Sequence, residues 1–140
     1  TRPVLALGAP APPVELPDLN GHLLRLTDLR GRPTLLLFWN PGCGYCADML
    51  PDLRAWEAEA APTTPQLLVI STGSVAENRA QGFRAPVLLE AGFAIGRAFG
   101  AIGTPSAILI DAEGRIASPV GGGASGVLAL ARGQGVAVGD

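Results

Sequence analysis

Three continuous apolar runs organise the chain. Thr34 to Asn40 reads TLLLFWN, Gln66 to Ser71 reads QLLVIS and Ser106 to Asp111 reads SAILID. Runs of this length without alternation predict strands buried on both faces. Between the first two lies YCADMLPDLRAWEAEA, residues 45 to 60, where Met49, Leu50, Leu53 and Trp56 recur at spacings of three and four. Asp52, Arg54, Glu57 and Glu59 fall on the other side, so the pattern predicts an amphipathic helix. Pro51 stands inside it and predicts a kink or a restart.

The remaining elements are shorter. Helices are predicted over 75 to 81, 93 to 99 and 125 to 132, and strands over Pro86 to Leu89 and Arg115 to Pro119, the latter after a turn at Ala112 to Gly114. Five prolines between residues 3 and 17 exclude a regular helix and predict an extended arm. Asn20-Gly21 marks a turn, followed by a strand at His22 to Leu26 and one helical turn at Thr27 to Arg30. Alternation first and a hairpin last imply an α/β fold, a mixed central sheet flanked by helices. One domain spans 1–140, with an arm and hairpin over 1–33 and a loose tail over 133–140; 140 residues suit one domain.

Composition narrows the function classes. The chain is 48% hydrophobic and 16% charged, which excludes a disordered segment. A net charge of -2 offers nothing to nucleic acid or to an acidic membrane surface. All ten basic residues are Arg, which reads as genome bias. No apolar run approaches the roughly 20 residues that span a bilayer. The first residue is Thr1 rather than Met, which raises the expectation of a removed signal peptide or anchor.

The only two cysteines, Cys43 and Cys46, lie in FWNPGCGYC. A closed zinc site needs four ligands, and the chain holds two Cys and one His, His22, which sits in the early hairpin. A Cu(I) site could use two thiolates. A Cys43–Cys46 disulfide closes so small a loop that it adds little stability. A reactive pair fits better. Cys43 sits where a buried strand ends and a helix begins, so free N–H groups and the helix dipole favour its thiolate. Cys46, one turn on, can resolve a mixed disulfide.

In this context LLLFWNPGCGYCADMLP resembles the strand, C-x-x-C and kinked helix of the thioredoxin superfamily. GTPSAILID resembles the segment that carries its cis-proline, here Pro105. The stretch GAPAPPVELPDLNGHLLRLTDLRGRPTLLLFW, with AFGAIGTPSAILIDAEGRI, resembles the redoxin branch, the AhpC/TSA-like and TlpA/ResA-like proteins. The resemblance covers roughly residues 8 to 130. It implies a thioredoxin-like fold with an N-terminal β-hairpin extension. It also implies catalysis by Cys43 and Cys46, and a substrate-binding surface of Trp39, Gly44, Tyr45, Thr104 and Pro105, with the Thr104 backbone free to pair with an extended client. No cofactor and no metal are implied.

The sequence departs from the branch in places. Thioredoxin carries a buried Asp where this chain has Leu37, and several TlpA/ResA-like proteins carry a Glu where it has Met49. Asp48 and Glu90 are the nearest acids in sequence. Gly42 replaces the Trp that precedes the first thioredoxin cysteine. Gly44-Tyr45 matches neither the Gly-Pro of thioredoxin nor the Pro-His of the strong periplasmic oxidant, and that dipeptide tunes the potential.

The implied activity is thiol–disulfide exchange with protein cysteine pairs, in a monomer served by an upstream redox protein. The expected location is the bacterial envelope, with a cytoplasmic thioredoxin-like protein as the alternative. Contact with a membrane is expected only through an N-terminal anchor, if one preceded Thr1. A thiol peroxidase is a second reading, but peroxidases of this branch resemble P-x-x-x-[TS]-x-x-C, and Asn40 stands where Thr or Ser belongs. A copper-binding or assembly module is a third; its known forms resemble C-x-x-x-C with a distant His, which the C-terminal half lacks.

Overall fold

A computed structural model of the chain describes residues 5–133. The N-terminal arm leads into a two-stranded hairpin, β1 (Glu15–Pro17) and β2 (Leu23–Arg25), antiparallel with Leu16 opposite Leu24. The turn between them is closed by the Asp18 carboxylate, which accepts from the Asn20 and His22 amides at 2.8 and 3.0 Å. Gly21 takes φ of +85° there, a left-handed conformation that favours glycine. A 3-10 turn, Leu26–Leu29, follows. It delivers the chain to the central strand β3 (Thr34–Phe38).

Next come α1 (Gly44–Ala58), β4 (Gln66–Ser71), α2 (Val75–Ala80), β5 (Val87–Leu89), α3 (Ala94–Ala98), β6 (Ser106–Ile110), β7 (Gly121–Gly122) and α4 (Gly123–Ala131). The main sheet runs β5-β4-β3-β6-β7. β3, β4 and β5 are parallel; β6 is antiparallel to β3 and to β7. This is the thioredoxin-like α/β fold with a mixed five-stranded sheet. The hairpin attaches at the β5 edge through a bridge between Asp18 and Leu88. No helix among the described residues is long and apolar enough to cross a membrane.

β3 explains why the core has two halves. Leu35, Leu36, Leu37 and Phe38 are all 0% exposed. Alternate side chains point to opposite faces. Leu35, Leu37 and Trp39 pack with Met49 and Leu53 of α1 and with Val127 and Leu130 of α4. Leu36 and Phe38 pack with Val14 of the arm, Leu88, Phe99 and Ile108. Each such side chain contributes roughly 1.5–3 kcal/mol through burial. The helix predicted around Pro51 forms as one span, and Pro51 lies inside it. Lacking an N–H, Pro51 leaves the Ala47 carbonyl without its usual helical donor.

The strand expected at Arg115 to Pro119 needs correction. This segment makes only isolated bridges, Arg115 with Pro10 and Ile116 with Ile110. The Ala117 amide still donates to the Leu109 carbonyl at 2.8 Å, but the Leu109 amide donates to Ser118 Oγ at 2.9 Å instead of to backbone. Pro119 has no N–H to continue a ladder. Pairing resumes two residues on, where Gly121 and Gly122 of β7 sit opposite Ala107 and Ser106. The tail expected to be loose over 133–140 lies, beyond Gly133, outside the described residues.

Candidate active site

β3 ends at Phe38 and α1 begins at Gly44, so five residues turn the chain across the end of the sheet. Asn40 shapes this loop. Its Oδ1 accepts from the Gly42 amide at 2.8 Å and its carbonyl from the Cys43 amide at 3.0 Å. Cys43 is thereby the N-cap residue of α1, with extended φ and ψ of -87° and 127°. Its sulfur closes no cap hydrogen bond, yet the N–H groups of Cys46 and Tyr45 face it.

The two thiols live in different surroundings. Cys43 is half-buried and Cys46 is 0% exposed. Partial burial of Cys43 opposes ionisation. The Cys46 amide, the Thr104 side chain, the Cys46 thiol and the Tyr45 amide outweigh it and hold the Cys43 pKa below its ordinary 9.0. Cys43 Sγ also donates to the Thr104 carbonyl at 3.5 Å, a contact open only to the protonated form. Burial pushes Cys46 up to about 12. The Asn40 amide relieves part of that, while the neighbouring Cys43 adds to it. The outer sulfur is thus the more accessible and the more readily ionised of the two.

Neither acid near the pair in sequence serves Cys46. Leu37 and Met49, at the positions that hold acids in the resembling proteins, are buried apolar side chains against the same core. Asp48 is exposed on α1. Glu90 is engaged elsewhere, its Oε1 accepting from the Ile95 amide at 3.0 Å at the start of α3.

The residues expected at the substrate surface divide. Gly44 and Tyr45 are exposed in the first turn of α1, Tyr45 at 75%. Thr104 is half-buried and touches Cys43; the Thr104-Pro105 peptide bond is cis, and Pro105 is buried. Trp39 lies inside instead, 1% exposed, so it supports the loop from beneath and presents almost no surface to a client. Its Nε1 donates to Gln81 Oε1 at 2.9 Å, and its ring meets Phe83 edge-on with centroids 5.3 Å apart. Gln81 and Phe83 carry no motif, so only the fold reveals that they hold the loop. A further contributor is Gly123, whose amide donates to the Pro105 carbonyl at 2.9 Å and ties the start of α4 to the site. Among the described residues, no three His, Cys, Asp or Glu side chains gather as a metal site.

A model of the AhpC/TSA family matches residues 7–118. The chain belongs to the AhpC/TSA family. Its relatives include the thiol-disulfide oxidoreductase ResA of Geobacillus thermodenitrificans, 27% identical over 120 residues, which span 82% of this chain and 69% of that protein. The methylamine utilization protein MauD of Paracoccus denitrificans is 32% identical over 122 residues, 79% of this chain and 56% of that one. Among solved structures, the thioredoxin domain of a thiol-disulfide oxidoreductase from Bacteroides vulgatus superposes with a TM-score of 0.69 at 25% identity, covering 80% of this chain and 86% of that domain. The family member described here is a thiol–disulfide oxidoreductase. Its partners are proteins with cysteines.

Proposed function

We propose that this protein is a reductant of protein disulfides, working as a monomer on the outer side of the bacterial cytoplasmic membrane. The observation that carries the mechanism is the asymmetry of the two thiols: Cys43 half-exposed with its pKa lowered, Cys46 sealed with its pKa raised. The Cys43 thiolate attacks one sulfur of a client disulfide. The client's second sulfur leaves as a thiolate, and a mixed disulfide forms. Cys46 gives its proton to the client thiolate just released and attacks Cys43 Sγ, and the first client sulfur leaves as a thiolate. The client gains two electrons and the Cys43–Cys46 pair is oxidised. Gly44, Tyr45 and the backbone of Thr104 meet the client, and Pro105 shapes the loop behind them. A redox protein upstream restores the dithiol.

The potential of the pair decides the direction, because a strongly oxidising pair needs a reduced form in which the thiolate is heavily stabilised. Titration of the couple against glutathione buffers, read by Trp39 and Trp56 fluorescence, tests the direction. A potential near or below about -250 mV is expected, close to thioredoxin. A value above about -180 mV would instead mean disulfide formation or isomerisation. Size-exclusion chromatography with light scattering checks the monomer, and fractionation of the source cells checks the location. Peroxide is expected not to be consumed, since Asn40 uses its side chain to brace the Gly42 amide.

A further inference from the structure

Two clefts, of about 410 and 270 Å³, adjoin along α1 and make one groove. They meet at Glu57 and Arg84, which line both. The groove starts at Leu50, about 10 Å along the helix from Cys43, and runs away from the thiols past Ala60 to Gln66 at the start of β4. Its floor is apolar, with Trp56 half-buried and Leu67 6% exposed. Arg32, Arg54 and Arg84 stand along it, all exposed. Among the described residues the one ion pair joins Arg25 to Glu15, so none of these three guanidinium groups is matched by a carboxylate. The acid in the groove, Glu57, is already engaged: its two oxygens accept from the Arg84 and Ala85 amides at 3.2 and 2.8 Å. Two of the arginines are held by contacts that leave their charge unanswered. Arg32 Nη2 donates to the Thr64 carbonyl at 3.0 Å. Arg54 lies across Gly82, where a Cβ would come 3.0 Å from the guanidinium carbon. The groove thus sets three positive charges against one negative, in a chain whose net charge is -2. The cavity beneath the N-terminal arm, of about 300 Å³, differs: it sets Arg25 and Arg30 against Glu15 and Asp111, and its charges balance.

We propose that this groove docks an acidic, extended segment of a partner protein, apart from the thiol pair. Carboxylates answer the three guanidinium groups, which grip them with two parallel hydrogen bonds. Apolar side chains between the acids cover the floor at Trp56 and Leu67. From Leu50 to Ala60 the groove spans on the order of 15 Å, the reach of about five residues of extended chain. Its concave shape admits such a segment, whereas the flat face of an anionic bilayer reaches only the rim. What the docked partner then does rests on the exchange reading above; the docking itself needs no thiol.

The test titrates the reduced, isotope-labelled protein with short cysteine-free peptides and follows it by two-dimensional NMR. The peptides share one apolar pattern and carry Glu, Gln or Lys at the polar positions. The Glu peptide is expected to shift the amides of Arg32, Arg54 and Arg84 and the Trp56 indole N–H, and to leave Cys43 and Thr104 unmoved. It is expected to bind at least about tenfold more tightly than the Gln peptide, with no binding of the Lys peptide. Arg54→Glu and Arg84→Glu are each expected to abolish that preference. Arg97→Glu, which changes the net charge equally on α3, is expected to keep it. All three arginines are exposed, and circular dichroism checks the fold of each variant. Equal binding of the Glu and Gln peptides overturns the proposal. Equal weakening by Arg97→Glu overturns it too, because net charge then sets the affinity. Binding to phosphatidylglycerol vesicles with no response to the Glu peptide overturns it in favour of a membrane surface. In a second measurement the Glu and Gln peptides are each joined to a disulfide peptide, and hydroxyethyl disulfide serves as a small neutral oxidant. The Glu form is expected to be reduced at least about tenfold faster at limiting concentration. Equal rates for the two forms, with hydroxyethyl disulfide still reacting, overturn the groove as a partner site and leave the exchange reading standing. Failure of hydroxyethyl disulfide itself to react sinks the exchange reading, while the binding result still decides the groove.

Discussion

Reduced Cys46 should make the protein sensitive to alkali in a calculable way. Its thiol is fully buried and its pKa is raised from 9.0 to about 12. The fold holds the neutral form, whereas the unfolded chain releases the proton once the pH passes 9. The contribution of Cys46 to stability is therefore complete below pH 9 and is lost between pH 9 and 12. Each pKa unit is worth about 1.4 kcal/mol, so the whole loss is about 4 kcal/mol, of which about 2 kcal/mol has gone by pH 10.5. Other titrating groups change too, and all but Cys43, whose thiolate the Cys46 thiol favours, are common to wild type and Cys46→Ala. The assay is urea unfolding of both proteins under anaerobic reducing conditions at pH 8 and pH 10.5. Cys46→Ala starts lower at pH 8 because of the missing sulfur. The stability gap between the two proteins is expected to shift by about 2 kcal/mol in favour of the variant at the higher pH. A gap constant to within about 0.5 kcal/mol would refute the reasoning, since the inner thiol would then ionise as freely folded as unfolded.

Three other outcomes are expected. Iodoacetamide should modify Cys43 alone, with a pH midpoint below 9.0, and Thr104→Val should move that midpoint upward because the Thr104 side chain favours the thiolate; mass spectrometry after quenching reads both. Cys46→Ser should accumulate a mixed disulfide through Cys43 with a client peptide, visible on non-reducing gels, whereas Cys43→Ser should form none. Gly121→Ala should destabilise the protein by about 1–3 kcal/mol in urea unfolding and slow exchange, because a Cβ there would lie 2.6 Å from the Gly126 carbonyl oxygen, which is backbone and cannot swing aside, and β7 leads directly to the Gly123–Pro105 contact.

Residue type and order alone were enough to place the chemistry. The unbroken apolar stretch into Phe38, the two cysteines and the helix pattern of Met49, Leu53 and Trp56 put the thiol pair at a strand-to-helix junction, because strand burial and helical periodicity are local properties. The same holds for the Asn20-Gly21 turn, where a left-handed residue was needed. The order of strands and the return hairpin of the sheet were legible in outline, but the exact path was not. Arg115 to Pro119 has strand-like spacing, yet one buried hydroxyl, Ser118, takes the Leu109 amide and ends the ladder.

The tertiary structure decided everything that depends on direction and proximity. Leu35, Leu36, Leu37, Phe38 and Trp39 are buried alike, so the run carries no period to say which side chain backs the thiols. Only the sheet's two faces assign Leu37 and Trp39 to the side of Cys46. Glu90 is near the site in sequence logic but caps α3 in space, while Gln81, with no motif of its own, holds Trp39. Asn40, Thr72, Phe93 and Thr104 line one cleft although they stand in loops that follow β3, β4 and β5 and precede β6, far apart along the chain. Sequence fixes what each residue can do, through its own covalent chemistry. Which residues do it together is set by long-range packing, and no local pattern encodes that.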